Sequence, residues 1–109
     1  MDELSKGRTA RLAVSSEADG GFLVVRLGGE LDLAGVTELA AQIDELLARE
    51  PQPLLLDLSD VSFCDSSGIA VLIRLANHFG HIRVRAAAAG VRRVIEVLGL
   101  AQRFGLEEG

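Results

Sequence analysis

The stretch LLLDLSDVSFCDSSGIAVLI, residues 54–73, decides how the chain is read. LLLDLS at 54–59 is a short apolar run bounded by Pro53 and by polar residues, the pattern of a strand buried on both faces as parallel sheets require. After CDSS the period changes. Ile69, Leu72, Ile73, Ala76 and Phe79 mark the inner stripe of a helix from about residue 66 to residue 79, and Gly80 ends it. A strand, a polar junction and a helix in direct succession form the repeating unit of an α/β sheet. In such sheets ligand and partner sites collect beyond the carboxyl ends of the strands.

The flanks agree. RLAVSS at 11–16 and GFLVVRLG at 21–28 read as two strands joined through ADGG, a hairpin turn. From Val36 the apolar positions Leu39, Ala40, Ile43, Leu46 and Leu47 recur at helical spacing until Pro51 and Pro53 stop them near Glu50. HIRVRA at 81–86 is a further strand. Val91, Val94, Ile95 and Leu98 mark a third helix closed by Gly99, and AQRFGLEEG holds one short edge strand at most. The order predicts one α/β domain over 11–109 behind a flexible N-terminus of residues 1–10, with its later strands parallel and joined by right-handed crossovers.

Composition narrows the function. At 109 residues the chain suits a single domain, with 16 acids against 11 bases for a net charge of −5, and four Phe with no Tyr or Trp. Nucleic-acid binding is disfavoured, because it needs a basic stripe and usually aromatic stacking surfaces. HIRVR and Arg92-Arg93 read as arginines on solvated faces. No stretch approaches the roughly 18 apolar residues of a membrane span and MDELSKGRTAR lacks a signal's apolar block, so no membrane insertion and a cytoplasmic location are expected. The single cysteine, Cys64, agrees with a reducing compartment.

The junction Asp65-Ser66-Ser67-Gly68 has two readings. Asp or Ser can simply cap the helix, for about 1 kcal/mol. One residue suffices for that, and two hydroxyls beside an acid and a glycine also make a compact polar surface. Nucleophilic catalysis fits poorly: the residues do not form the G-x-S-x-G elbow, and His78, on the same helix, is about 18 Å from Ser66 at 1.5 Å per residue. His81 opens the next strand at the far end of the sheet. Anion binding has neither glycine-rich phosphate motif, and Glu30 and Asp32 follow Gly28-Gly29. The third possibility makes a serine the substrate. A phosphoserine carries about −1.5 to −2 charges, which a helix N-terminus tolerates and a docked partner does not.

GELD at 29–32, LLLDLSDVSFCDSSGIAVLI at 54–73 and VRRVIEVLGLAQRF at 91–104, in that order, resemble the STAS domain of bacterial anti-sigma factor antagonists. The resemblance spans about residues 10–106. It implies an α/β STAS fold: a mixed, mostly parallel sheet of four to five strands with three helices packed mainly on one side, commonly followed by another helix where this sequence ends at LEEG. It implies a non-enzymatic partner switch without a cofactor of its own. The unphosphorylated form binds an anti-sigma factor that is also a serine kinase, bringing its own Mg-ATP, and so releases the sigma factor. Phosphorylation ends binding, and a phosphatase restores it. The acceptor matched here is Ser66, with Ser67 the lesser candidate. Asp32 lies near the acceptor and helps recognition, Asp65 belongs to the acceptor motif itself, and the partner-binding face is expected to comprise Asp32, Asp65, Ser66, Ser67 and Gly68, extended by Ala70 and Arg74 one turn apart. Asp32 also has a plainer role open to it, as the cap of the first long helix. The alternative implied by the same fold is an accessory subunit of a lipid-trafficking ABC transporter or a stress-sensing scaffold component.

Overall fold

The computed structural model describes residues 9–19 (16–19 by backbone alone), 21–85 and 87–104. Its elements run β1 (Arg11–Asp19), β2 (Phe22–Leu31), α1 (Leu33–Glu38), α2 (Ala40–Leu47), β3 (Leu54–Cys64), α3 (Ser66–Phe79), β4 (Ile82–Arg85) and α4 (Ala89–Val97). The sheet order is β1-β2-β3-β4, antiparallel for the opening hairpin and parallel thereafter. This is the mixed, mostly parallel sheet expected, with four strands among the described residues. In the region given to an edge strand, 101–104 form a turn. Residues 105–109, 1–8 and Ala86, the last of the HIRVRA strand, lie outside the described residues.

Register explains the core. Val14, Val25, Leu56 and Val84 lie in one row across the sheet, and Leu23, Leu54 and Ile82 in another, all on the face that meets the helices. Leu54, Leu56 and Leu58 are fully buried there among Ile43, Leu46, Leu72, Leu75 and Ile95. Truncating any of these leucines to alanine costs about 2–5 kcal/mol by transfer and cavity terms. The opposite face differs from the two-sided apolar burial expected of 54–59. Val24 and Leu55 are buried there, but the next row is Ala13, Arg26, Asp57 and Arg85. The helical side therefore carries the core cluster.

Three sequence expectations need correction. The first long helix begins at Leu33 rather than Val36 and breaks at Leu39, whose N–H is shared between the Gly35 and Val36 carbonyls at 3.1 Å each. That tightened turn makes two short helices, so the three expected become four. β3 runs on to Cys64, five residues past its expected end, through two places where it gains a residue on β2: Arg26↔Asp57 is followed by Gly28↔Asp60, and Gly29↔Val61 by Glu30↔Phe63. Such bulges bend a strand and re-aim its side chains. Ala10, assigned to the loose leader, is a core residue, and the Thr9 carbonyl crosses so close to Gly29 (φ +83°) that a Cβ there would stand 2.2 Å from it.

Candidate functional site

β2 and β3 end side by side at the pair Leu31↔Cys64, and each is followed at once by an aspartate in extended conformation that caps the next helix. Asp32 Oδ1 accepts the Gly35 N–H at 2.8 Å. Asp65 Oδ1 accepts the Ser67 N–H at 2.8 Å and the Gly68 N–H at 3.4 Å. The Asp65 N–H in turn donates to the Leu31 carbonyl at 3.4 Å, so the two junctions are tied together. Both helices approach closely because glycine stands where they touch. A Cβ on Gly35 would lie 2.1 Å from the Glu30 carbonyl oxygen, and one on Gly68 2.6 Å from both the Leu31 oxygen and Cys64 Sγ.

Ser66, at the first position of α3, is exposed, whereas Ser67 is half-buried and Gly68 buried. Ala70 is exposed one turn on, and Arg74 a turn beyond it. Arg74 leans away from the junction, its guanidinium 3.9 Å from Asp44 on α2 with both side chains largely exposed. Such a pair is worth little. Asp32, Asp65, Ser66, Ser67 and Gly68 thus share one end of the sheet, with Ala70 bordering it and Arg74 on its flank.

The electrostatics there are acidic. A hollow of about 330 Å³ beside the junction is lined by Thr9, Glu30, Asp32, Gly35 and Glu38, with no basic side chain among its described lining residues. Burial, with the Asp65 charge beside it, pushes the Cys64 thiol up to about 11, so this cysteine behaves as a small packed hydrophobe. The histidines sit elsewhere. The His78 Nε2 is 2.7 Å from the Arg49 carbonyl past the end of α2, and the His81 carbonyl accepts the Leu54 N–H at the amino end of β3. Among the described residues no cluster of three His, Cys, Asp or Glu could hold a metal, and no helix is long and apolar enough to cross a membrane.

Two exposed apolar residues near the junction were not singled out from the sequence. Leu33, in the first turn of α1, is 70% exposed, and Phe63, one residue before Cys64, is 49% exposed. The signal for Phe63 is the aromatic in VSFC, a strand-favouring run that follows the expected strand end at residue 59.

The comparisons decide the family. The profile described as "Mlab, STAS domain" matches residues 6–108. The anti-sigma-F factor antagonist RsfB of Mycobacterium tuberculosis is 35% identical over 89 residues, 79% of this chain and 73% of that one. This chain belongs to the STAS-domain anti-sigma factor antagonist family. Antagonists of this family are regulators and not enzymes. Among solved structures, an anti-sigma factor antagonist from Mycobacterium paratuberculosis superposes with TM-score 0.78 at 30% identity, covering 94% of this chain and 88% of that one. Unphosphorylated SpoIIAA shares the fold, with TM-score 0.66 at 21% identity over 91% of this chain and 88% of its own.

Proposed function

We propose that the chain binds an anti-sigma factor through the end of the sheet that carries Asp32, Asp65 and Ser66, that this factor is a serine kinase, and that phosphorylation of Ser66 ends the binding until a phosphatase reverses it. The observation that carries the reading is the exposed Ser66 hydroxyl beside an N-cap already in use. Asp65 Oδ1 holds the Ser67 and Gly68 amides, so two of the amides that could bind a phosphate on Ser66 are already taken and a carboxylate lies next to it. The helix end thus tolerates the phosphate, as expected of a helix N-terminus, while the adjacent Asp65 carboxylate limits how far its charge is neutralised. A dianion left unpaired in a contact costs about 2–5 kcal/mol, a loss of about thirtyfold to several-thousandfold in affinity. Ser67 is the weaker acceptor because it is half-buried. Ala70 forms the near border of the docking face, Gly68 allows its close packing, and Arg74 marks its outer limit. Residues 11–109, with Ala10 packed into their core, act as one domain in this scheme.

The test mixes the full chain with candidate anti-sigma factors of its own organism and Mg-ATP, then maps phosphate by mass spectrometry and measures binding by calorimetry. Label on Ser66 that disappears in Ser66→Ala, with Ser66→Ala still binding, supports the switch. Binding that is equal before and after phosphorylation overturns it. Absence of both label and binding with every candidate moves the reading to the transporter-subunit or scaffold alternative.

A further inference from the structure

β3 carries two extra residues relative to β2, and the second, between Val61 and Phe63, leaves the Phe63 ring half in solvent. Phe63 walls a recess of about 190 Å³ between the end of β3 and the start of α4, with Val61, Cys64, Gly90 and Val91 among the other lining residues. No charged side chain is among its described lining residues. The volume falls below the roughly 300–1,000 Å³ of small-molecule sites, so the recess suits a side chain rather than a cofactor. It adjoins the acceptor junction. Phe63 is three residues before Ser66, so their Cα atoms are at most about 11 Å apart at 3.8 Å per step.

We propose that this recess receives an apolar side chain of the anti-sigma factor and that Phe63 is the main affinity anchor of the docking face. The inference rests on the reading above that this end of the sheet docks that partner. Three observations fix the occupant. The recess reaches Cys64, the residue next to the Asp65 cap, no charged side chain is among its described lining residues, and Glu30, the register partner of Phe63, together with Asp32 and Asp65 makes this end of the sheet acidic. The matching surface is an apolar knob with basic residues around it. Binding energy concentrates in aromatic anchors seated in desolvated pockets, with polar contacts at the rim. A serine at that rim is then well placed to act as a switch. A phosphate on Ser66 must be stripped of water for the knob to seat, so one modification removes the contribution of the whole recess.

The experiment is calorimetric titration of the full chain with the anti-sigma factor that binds the parent, using Phe63→Ala, Gly90→Leu and, as control, Val97→Ala. Gly90 lines the recess and has open space where a Cβ would project, so Gly90→Leu places a bulky side chain at the recess rim without a clash at Cβ and favours the helix. It keeps the test valid if Phe63→Ala unfolds. Val97 is 72% exposed near the last turn of α4, at the helix end away from the recess. The expected result is binding at least tenfold weaker for each recess variant and within twofold of the parent for Val97→Ala. A smaller loss in either folded recess variant, or an equal loss in the control, overturns the proposal. A parent that binds no anti-sigma factor overturns the functional reading itself, which is a different result.

Discussion

Replacing Gly68 by alanine tests whether the acceptor junction is a rigid construction. The new Cβ would stand 2.6 Å from Cys64 Sγ, 2.6 Å from the Leu31 carbonyl oxygen and 2.8 Å from Leu31 Cβ. Ordinary contacts of this kind lie at about 3.3–4.0 Å, so all three atoms overlap the methyl and one of them is backbone. The same Leu31 oxygen accepts the Asp65 N–H, so moving it loosens the tie between the two junctions. Overpacking of this kind costs about 1–3 kcal/mol, offset by up to about 1 kcal/mol from the better helix propensity of alanine. The expected net loss is about 1–2 kcal/mol, or roughly 5–10 °C in Tm for a domain of this size. Thermal and urea unfolding followed by circular dichroism measure it, with an unchanged urea slope showing that the unfolded state is unaffected. Gly90→Ala is the internal contrast. Nothing lies within 4 Å of its Cβ, so the same chemical change should there be neutral or stabilising. Adding Cys64→Ala to Gly68→Ala removes one overlap of three and should make the pair less damaging than the sum of the singles. A Gly68→Ala protein as stable as the parent would refute the close-packing account.

The remaining expectations follow from named contacts. Asp65→Ala should cost about 1 kcal/mol in urea unfolding through loss of the cap, and Asp65→Asn should recover most of it, because an amide oxygen accepts the same N–H bonds. Burial of Asp57 opposes its ionisation, but the Ser59 N–H and hydroxyl, Arg26 and Arg85 outweigh that and hold its carboxyl below the ordinary 3.8. A carboxylate lowered in the folded state adds stability that is present at neutral pH and lost as pH falls below 3.8 through the folded value. Urea midpoints measured against pH should therefore drop less steeply in acid for Asp57→Asn; an identical acid limb would contradict the assignment. With its thiol raised from 9.0 to about 11, Cys64 should react with a thiol reagent at pH 8 roughly a hundredfold more slowly than an ordinary cysteine, and faster only after denaturation.

How much of this was legible depended on whether the signal was local. The bounds of α3 could be read because Asp65 caps one end and Gly80, at φ +79°, closes the other, both by chemistry within a few residues. The start of α1 could not. Its first turn exposes Leu33 and Ala34, so no apolar stripe begins there, and its cap, Asp32, was visible only as one of two possible roles. The far half of β3 was hidden for a different reason. Its core-cluster residues run Leu54, Leu56, Leu58, then Val61, then Cys64, so two extra residues change the alternation that a strand normally shows. Beyond Asp57 this strand pairs only with β2 among the described residues. Phe104, fully buried in the core, is a lone aromatic in a polar tail and had no periodic neighbours to announce it. The position of the candidate site came through in spite of these misses, because strand-to-helix order alone places residues 65–68 at the carboxyl end of the sheet. Its exposed apolar partner, Phe63, did not, since only the bulge turns that ring outward.

That bulge and the two capping aspartates bear on how a charge at Ser66 acts. A signal can pass through a fold only if some element has two arrangements of similar energy. Here the junction is fixed by three cap hydrogen bonds accepted by two separate aspartates, by a backbone bond from Asp65 to the end of β2, and by two glycines whose neighbours leave no room for a Cβ. Each device is worth about 1 kcal/mol or more, and all must yield together for the loop to rearrange. A phosphate at an exposed hydroxyl on such a platform finds the Ser67 and Gly68 amides already bonded to Asp65 and no loose segment to carry it aside. Under the proposed switch the charge therefore stays where it is placed, and its whole effect falls on the surface that comes to dock. Discrimination then needs no conformational change in this chain, and backbone amide shifts of the phosphorylated protein should differ from those of the parent only around residues 63–70 and 31–35.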